Sequence, residues 1–145
     1  MNIIGLGKAG CKIADLFKQY SQYTVFKIDS DEKLKKKKNC IYIPKQGSVE
    51  LYDANPVSLK KIKSNLDEDE ELYFITCGCG KISACTLWIL REFPDKKINI
   101  VYIKPDVTSI DDKSRMINRA HFHILQEYTR SGIFEKMYII NNKKM

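Results

Sequence analysis

The chain has 145 residues, enough for one domain with a real core, and 43% are hydrophobic, which excludes a disordered tail. No apolar run approaches the roughly 20 residues of a membrane helix, and Met1 to Leu6 is too short and too uncharged for a signal peptide. The net charge of +7 comes mostly from lysine, so partners with negative charge have to be weighed against a simple solvated surface.

Asn2-Ile3-Ile4-Gly5-Leu6 reads as a short strand, and Gly5-Leu6-Gly7-Lys8-Ala9-Gly10 follows at once. Ile13, Ala14, Leu16 and Phe17 then recur at helical spacing, with Lys12, Lys18 and Gln19 outside. Tyr23 to Ile28 is a second strand ending at Asp29-Ser30-Asp31, and Ile41-Tyr42-Ile43 is a third, stopped by Pro44. Asn55 and Pro56 predict a helix start, as cap and first turn, for a helix carrying Leu59, Ile62 and Leu66. Leu72 to Ile75 is a buried-type strand that runs into Cys77-Gly78-Cys79-Gly80, and Ile82 to Phe93 is again helical. Ile98 to Ile103 is a strand ended by Pro105. The clearest helix is expected from Asp111 to Arg130, with Met116, Ala120, Ile124 and Tyr128 in one stripe joined by Ile117 and Leu125, and Gly132 at its C-cap. Met137 to Ile140 is the last strand. Strands alternating with helices predict an α/β fold, a mostly parallel sheet with helices on both faces, in one domain over residues 1–145.

Lys33 and Lys35 to Lys38 form a basic block, Lys143 and Lys144 end the chain, and Asp67-Glu68-Asp69-Glu70-Glu71 is an acidic run. No aromatic residue is interleaved with the lysines, so nucleic acid is not the expected partner. The five cysteines, an odd number without a secretory signal, are expected as free thiols. Cys77-Gly78-Cys79 has no second ligand pair at zinc spacing, and His121 and His123 point to different helix faces, so no metal site is expected.

Gly5-x-Gly7-x-x-Gly10 between a strand and a helix has the form of a phosphate-binding turn. The first glycine permits the turn, the second lets backbone approach phosphate and the third lets the helix pack closely. The helix start offers free N–H groups to an anion. Asp29, ending the next strand, can accept hydrogen bonds from ribose hydroxyls. Alone, this is a dinucleotide fingerprint, and its bland alternative is a glycine turn that packs a helix and holds no ligand. Cys77 to Gly80 is a second glycine loop that also opens a helix, so two loops on neighbouring strand ends can grip one polyphosphate.

Six segments taken in order resemble the N-terminal GTP-binding domain of the tubulin/FtsZ family. Ile4 to Lys12 resembles its first glycine loop, and Asp29-Ser30-Asp31 its Asn-Thr-Asp. Ala54-Asn55-Pro56 resembles an Ala-Asn-Pro of FtsZ, and Phe74 to Thr86 stands where the signature loop would be. Lys104-Pro105 with Ser114-Arg115-Met116, and Ile139-Ile140-Asn141-Asn142-Lys143, resemble two further FtsZ segments. The resemblance implies a Rossmann-like GTPase-type domain with GTP or GDP held by Gly5, Gly7, Gly10, Lys12, Asp29, Asp31, Gly78, Gly80, Ser83, Asp111, Arg115 and Asn141. The hydroxyl of Thr86 and the charge of Lys81 are further candidate phosphate contacts, and Asn141 is the candidate reader of a guanine edge. Arg115 and Asp111, four residues apart, would share one helix face, either on nucleotide or as a surface ion pair.

The signature glycines are largely replaced along Gly80-Lys81-Ile82-Ser83-Ala84-Cys85-Thr86, and Ile82 and Ala84 bring Cβ atoms where backbone would meet phosphate. A fold that holds no nucleotide therefore fits as well as one that holds GTP. The resemblance also implies a second domain carrying the catalytic acid, which would follow Met145. No catalytic residue is expected in this chain, and GTP hydrolysis by it alone is not expected. Three functions stand open: an FtsZ/tubulin-like assembly subunit partnered by copies of itself or other proteins, an NAD-type dinucleotide-binding module, and a GTPase completed by a further domain or partner. The richness in lysine and asparagine suits an AT-rich genome, a viral one included, so the expected setting is the cytoplasm or a virion.

Overall fold

The computed structural model describes residues 1–141; Asn142, Lys143 and Lys144 of the motifs above lie outside the described residues. The elements run β1 (Asn2–Leu6), α1 (Gly7–Asp15), β2 (Thr24–Asp29), a 3₁₀ turn (Glu32–Leu34), β3 (Cys40–Tyr42), α2 (Val49–Ala54), α3 (Lys60–Lys63) and β4 (Glu71–Cys77). A second 3₁₀ turn (Lys81–Cys85), α4 (Thr86–Leu90), β5 (Lys97–Lys104), α5 (Asp112–Arg130) and β6 (Lys136–Asn141) follow. Every predicted strand is present to within a few residues. The six form one sheet in the order β3-β2-β1-β4-β5-β6, and every neighbouring pair is parallel.

The pleat divides the side chains between two faces. Ile4, Phe26, Phe74, Ile100 and Tyr102 lie on one face and meet Ile62 of α3, Ile89 of α4 and Leu125 of α5 in the main core. Ile3, Val25, Ile75 and Ile103 lie on the other, under Ala14 of α1. Among the described residues helices therefore cover both faces, four on the first and α1 on the second. On that second face Lys27 is nearly buried and its Nζ lies 3.1 Å from Asp15 Oδ1 of α1. Burial would lower the Lys27 pKa, but the hydrogen bond and charge of Asp15 outweigh it and raise it.

Three local expectations fail. Asn55 does not start a helix but closes α2 as its C-cap, and Pro56 follows. The missed start lies upstream, where the Ser48 hydroxyl accepts from Leu51 N. Asn55 instead turns its amide back to the Leu51 carbonyl. Second, the stretch from Ile82 to Phe93 is helical only in part, as a 3₁₀ turn and a five-residue helix. Third, the expected stripe of α5 is split: Met116 is 69% and Ile124 40% exposed, whereas Leu125 of the same expectation, 0% exposed, is the anchor, assisted by Tyr128 and by Phe122.

The acidic run is also not a free patch. The Asp67 carboxylate accepts from the Met1 α-amino group at 2.8 Å, from Asn2 Nδ2 and from the Thr24 hydroxyl, while Asp67 N donates to Asn2 Oδ1. Glu70 pairs with Lys97. This acidic cluster ties the amino ends of β1, β2 and β4 together.

Candidate functional site

A parallel sheet puts all its carboxyl ends at one edge, and ligands bind beyond that edge where the strand order reverses. Here the reversal falls between β1 and β4, which are hydrogen-bonded neighbours. Both glycine loops follow these two strands, so Gly7 and Gly80 lie at the same edge. Asp29 and Asp31 follow β2, Asp111 and Arg115 lie between β5 and the first turn of α5, and Asn141 ends β6. The topology thus brings every candidate residue except Lys12 to one rim. Lys12 points to solvent from the second turn of α1, away from the helix start.

The first loop is built by close approach. A Cβ on Gly5 would lie 2.5 Å from the Gly10 carbonyl oxygen, and one on Gly10 would lie 2.5 Å from the Ile75 carbonyl oxygen. These two glycines let α1 settle directly on the backbones of β1 and β4. The turn itself falls at Gly7, with φ +76°, rather than at Gly5 as the motif suggested. The nine-residue helix α1 then begins with no capping side chain and no acidic residue in its first turn, so its first N–H groups are not taken by a side chain of the helix itself.

Asp29 stands one strand over. Its Oδ1 accepts from Ser30 N at 2.7 Å. Burial pushes the carboxyl above its usual pKa and the Asp31 charge adds to this, against the Ser30 N–H and Lys8. Asp31 is spent as the cap of the following 3₁₀ turn, accepting from Lys33 N. Ser30 shares a hydrogen bond with the Tyr52 hydroxyl, 3.1 Å away, which fixes α2 over this rim. Tyr52 and Lys8 were not singled out from sequence; the Ser48 cap was the only local signal for the helix that carries Tyr52.

The second loop is turned inward. The Ser83 side chain is buried and donates to the Cys77 carbonyl. Thr86 is 1% exposed. Lys81 Nζ donates to the Gly47 carbonyl. Gly78 is a glycine because the Tyr102 hydroxyl and Asn118 Oδ1, themselves hydrogen-bonded, occupy the space of a Cβ. Gly80 is not constrained: a Cβ there would come no nearer than 3.8 Å to Ser83 Oγ. The Asp111–Arg115 ion pair, one of the two readings of that spacing, does not form. Asp111 caps α5 by accepting from Ser114 N, and Arg115 binds Asp112 and the Val107 carbonyl.

Beside this loop an apolar cleft of about 580 Å³ opens between α2, the second 3₁₀ turn and α5. The exposed α5 stripe, Met116, Ala120 and Ile124, is its wall. Thr86 and His121 also line it, and Thr86 Oγ1 and His121 Nε2 have no hydrogen-bond partner among the described residues. Burial alone lowers the His121 pKa to about 4, so the ring is neutral. Among the described residues no group of three or more His, Cys, Asp or Glu side chains could hold a metal ion. No helix among them is long and apolar enough to cross a membrane.

No family model matches the sequence, and no curated protein matches it. Solved structures do match in three dimensions. One is dTDP-glucose 4,6-dehydratase from Bacillus anthracis str. Ames in complex with NAD, with a TM-score of 0.55 and 11% identity over 97% of this chain and 54% of that one. The domain is Rossmann-like. At this identity the likeness is one of fold, and the chain spans about half the length of that neighbour. The resemblance to tubulin and FtsZ is supported in its coarser part only, as a Rossmann-like parallel sheet.

Proposed function

We propose that this chain is a nucleotide-binding module of the dinucleotide, NAD-like class. Its pyrophosphate would sit over the start of α1, and its adenosine ribose would bond to Asp29. The observation that carries this reading is the uncapped, acid-free start of α1 at Gly7, one strand away from a half-buried carboxylate. A helix start attracts phosphate, and a carboxylate at the end of the second strand accepts ribose hydroxyls. That the structural neighbour was solved with NAD adds support. The guanine-nucleotide reading is weaker, because it needs the second loop to present hydroxyls and backbone to phosphate, and Ser83, Gly78 and Lys81 are committed elsewhere.

A thermal-shift panel of NAD, NADP, GTP and GDP tests this. A ligand at 100 times its Kd stabilises by about 2.7 kcal/mol. NAD is expected to raise the melting temperature and NADP to do so less, since its 2′-phosphate would meet the Asp29 carboxylate. A shift with GTP and none with NAD would return the site to the guanine class.

Self-assembly is a second reading, favoured by one observation. Strand β6 is, with β3, one of the two edges of the sheet among the described residues, and it leaves Tyr138 45% and Ile139 54% exposed. Tyr138 stacks on Tyr73 with ring centroids 6.4 Å apart, on the face where α1 lies over β1, β2 and β4. An apolar edge of this kind is a template for pairing with another chain. Copies of this protein are the partner in this reading.

A further inference from the structure

The five cysteines fall into two kinds. Cys11, Cys40 and Cys85 are buried. Burial pushes the thiols of Cys11 and Cys85 up to about 12, and both are tied to backbone carbonyls, Cys11 to Gly5 and Ile28 and Cys85 to Tyr52. Such thiols are inert. Cys77 and Cys79 differ in every respect. They are half-exposed on the carboxyl rim, one at the end of β4 and the other two residues on, and their sulfurs lie 3.9 Å apart.

The two sulfurs share a contact in which either can donate, while the Gly78 N–H is given to the Ile103 carbonyl. The Cys79 contact is the largest influence on Cys77 and, against the burial penalty, pulls its thiol down to about 6, while the same contact and burial push the Cys79 thiol up. A thiol of lowered pKa next to a protonated thiol is an attacking group beside a resolving one. The sulfurs need to close from 3.9 Å to about 2.0 Å to bond.

We propose that Cys77 and Cys79 form a thiol–disulfide exchange site whose co-substrate is a small-molecule disulfide of the glutathione disulfide class. The Cys77 thiolate attacks one sulfur of that disulfide, forming a mixed disulfide and expelling one glutathione thiolate, which takes up a proton. The Cys79 thiol then loses its proton and attacks the Cys77 sulfur. The Cys77–Cys79 bond forms, the mixed bond breaks and a second glutathione leaves. The balance is one external disulfide reduced to two thiols and one protein dithiol oxidised to one disulfide. The chemistry is independent of nucleotide at α1.

The experiment uses the full chain incubated with glutathione disulfide, quenched by alkylation and mapped by peptide mass spectrometry. The expected result is the loss of two alkylatable thiols out of five, both in the peptide holding Cys77 and Cys79, with full return on reduction. Cys79→Ser is expected to trap one glutathione on Cys77, and Cys77→Ser to trap none. In the reduced protein at neutral pH, Cys77 is expected to alkylate at least about tenfold faster than Cys11. Five thiols still alkylatable after the incubation, a glutathione adduct that persists in the wild type, or a bond involving Cys11, Cys40 or Cys85 would each overturn the proposal. The wild-type mapping decides the matter even where a serine variant fails to fold.

Discussion

Ile82 of the second glycine loop packs over Gly7 of the first: a Cβ placed on Gly7 would lie 3.1 Å from Ile82 Cγ2. The backbone that turns at φ +76° to start α1 is therefore roofed by an apolar side chain from the neighbouring strand's loop. Phosphate reaching the start of α1 has to pass beside this group. Ile82→Ala is expected to lower stability by about 1–2 kcal/mol, less than a fully buried truncation, because the side chain is only half-buried. It is expected at the same time to tighten binding of NAD, read by titration calorimetry. Gly7→Ala is expected to cost about 1–2 kcal/mol from the left-handed backbone alone and to abolish binding. Unchanged affinity in Ile82→Ala would show that the roof does not guard the site.

Asp29 links stability and binding with opposite signs. Its folded pKa is raised above the ordinary carboxylate value of 3.8, chiefly by burial, so the folded state holds this proton more tightly than the unfolded chain. Stability from this group is full below 3.8 and is lost as pH rises through the raised folded value. Asp29→Asn keeps the oxygen that accepts from Ser30 N and removes the charge. The variant is expected to melt higher than wild type at neutral pH, with the gap closing under acid, and to bind NAD more weakly. A lower melting temperature at pH 7 would contradict the burial argument.

Asp67 behaves in the reverse sense. Burial tends to raise its pKa, but the hydrogen bond and charge of the Met1 α-amino group, the Asp69 N–H and the Thr24 hydroxyl together hold it below the usual value. Its stabilising contribution is present above about 3.8 and is lost as pH falls through the lower folded value. Asp67→Ala is expected to cost about 1–3 kcal/mol by urea denaturation at pH 7, because the Asn2 amide, 0% exposed, loses an acceptor. The difference from wild type should shrink in acid.

Gly78 and Gly80 sit two residues apart in one loop and should respond oppositely to alanine. At Gly78 the new Cβ would collide with the Tyr102 hydroxyl and Asn118 Oδ1, so Gly78→Ala is expected to break that hydrogen bond and cost about 2–4 kcal/mol. At Gly80 the space is open and φ is −75°, so Gly80→Ala is expected to change stability by less than about 0.5 kcal/mol. Thermal melts of the two variants check this.

Self-association through β6 has a direct measurement. Sedimentation of the full chain is expected to show a concentration-dependent oligomer, and Ile139→Lys is expected to return it to monomer, since a charge on an exposed edge strand disfavours pairing. Ile139 is 54% exposed, so the substitution should leave the melting temperature nearly unchanged. A monomer at every concentration would remove the assembly reading.

The strands, the α1 start and the α/β class were legible in the sequence, because these follow from local periodicity and from glycines whose constraints are local or immediately across the sheet. Alternating strand and helix signals were enough to place both glycine loops at one edge once parallel pairing was expected. The α5 start was legible for the same reason, since Asp111 caps its own helix three residues on. Only the tertiary structure decided where each polar side chain finds its partner. Ser83 could donate to phosphate or to the Cys77 carbonyl, Asp111 could accept from Arg115 or from Ser114 N, and Lys81 could donate to an anion or to the Gly47 carbonyl; the fold supplies a near, fixed acceptor or donor in each case. The same holds for Asn55 and Pro56, which suit a helix start in isolation. They close a helix here because Ser48, seven residues earlier, captured the nucleus and placed Tyr52 against Ser30 and Trp88. The α5 stripe divides between core and cleft, Leu125 in the one and Met116 in the other, because a stripe can as well line an open cleft as a core, and the difference lies in what α2 leaves uncovered.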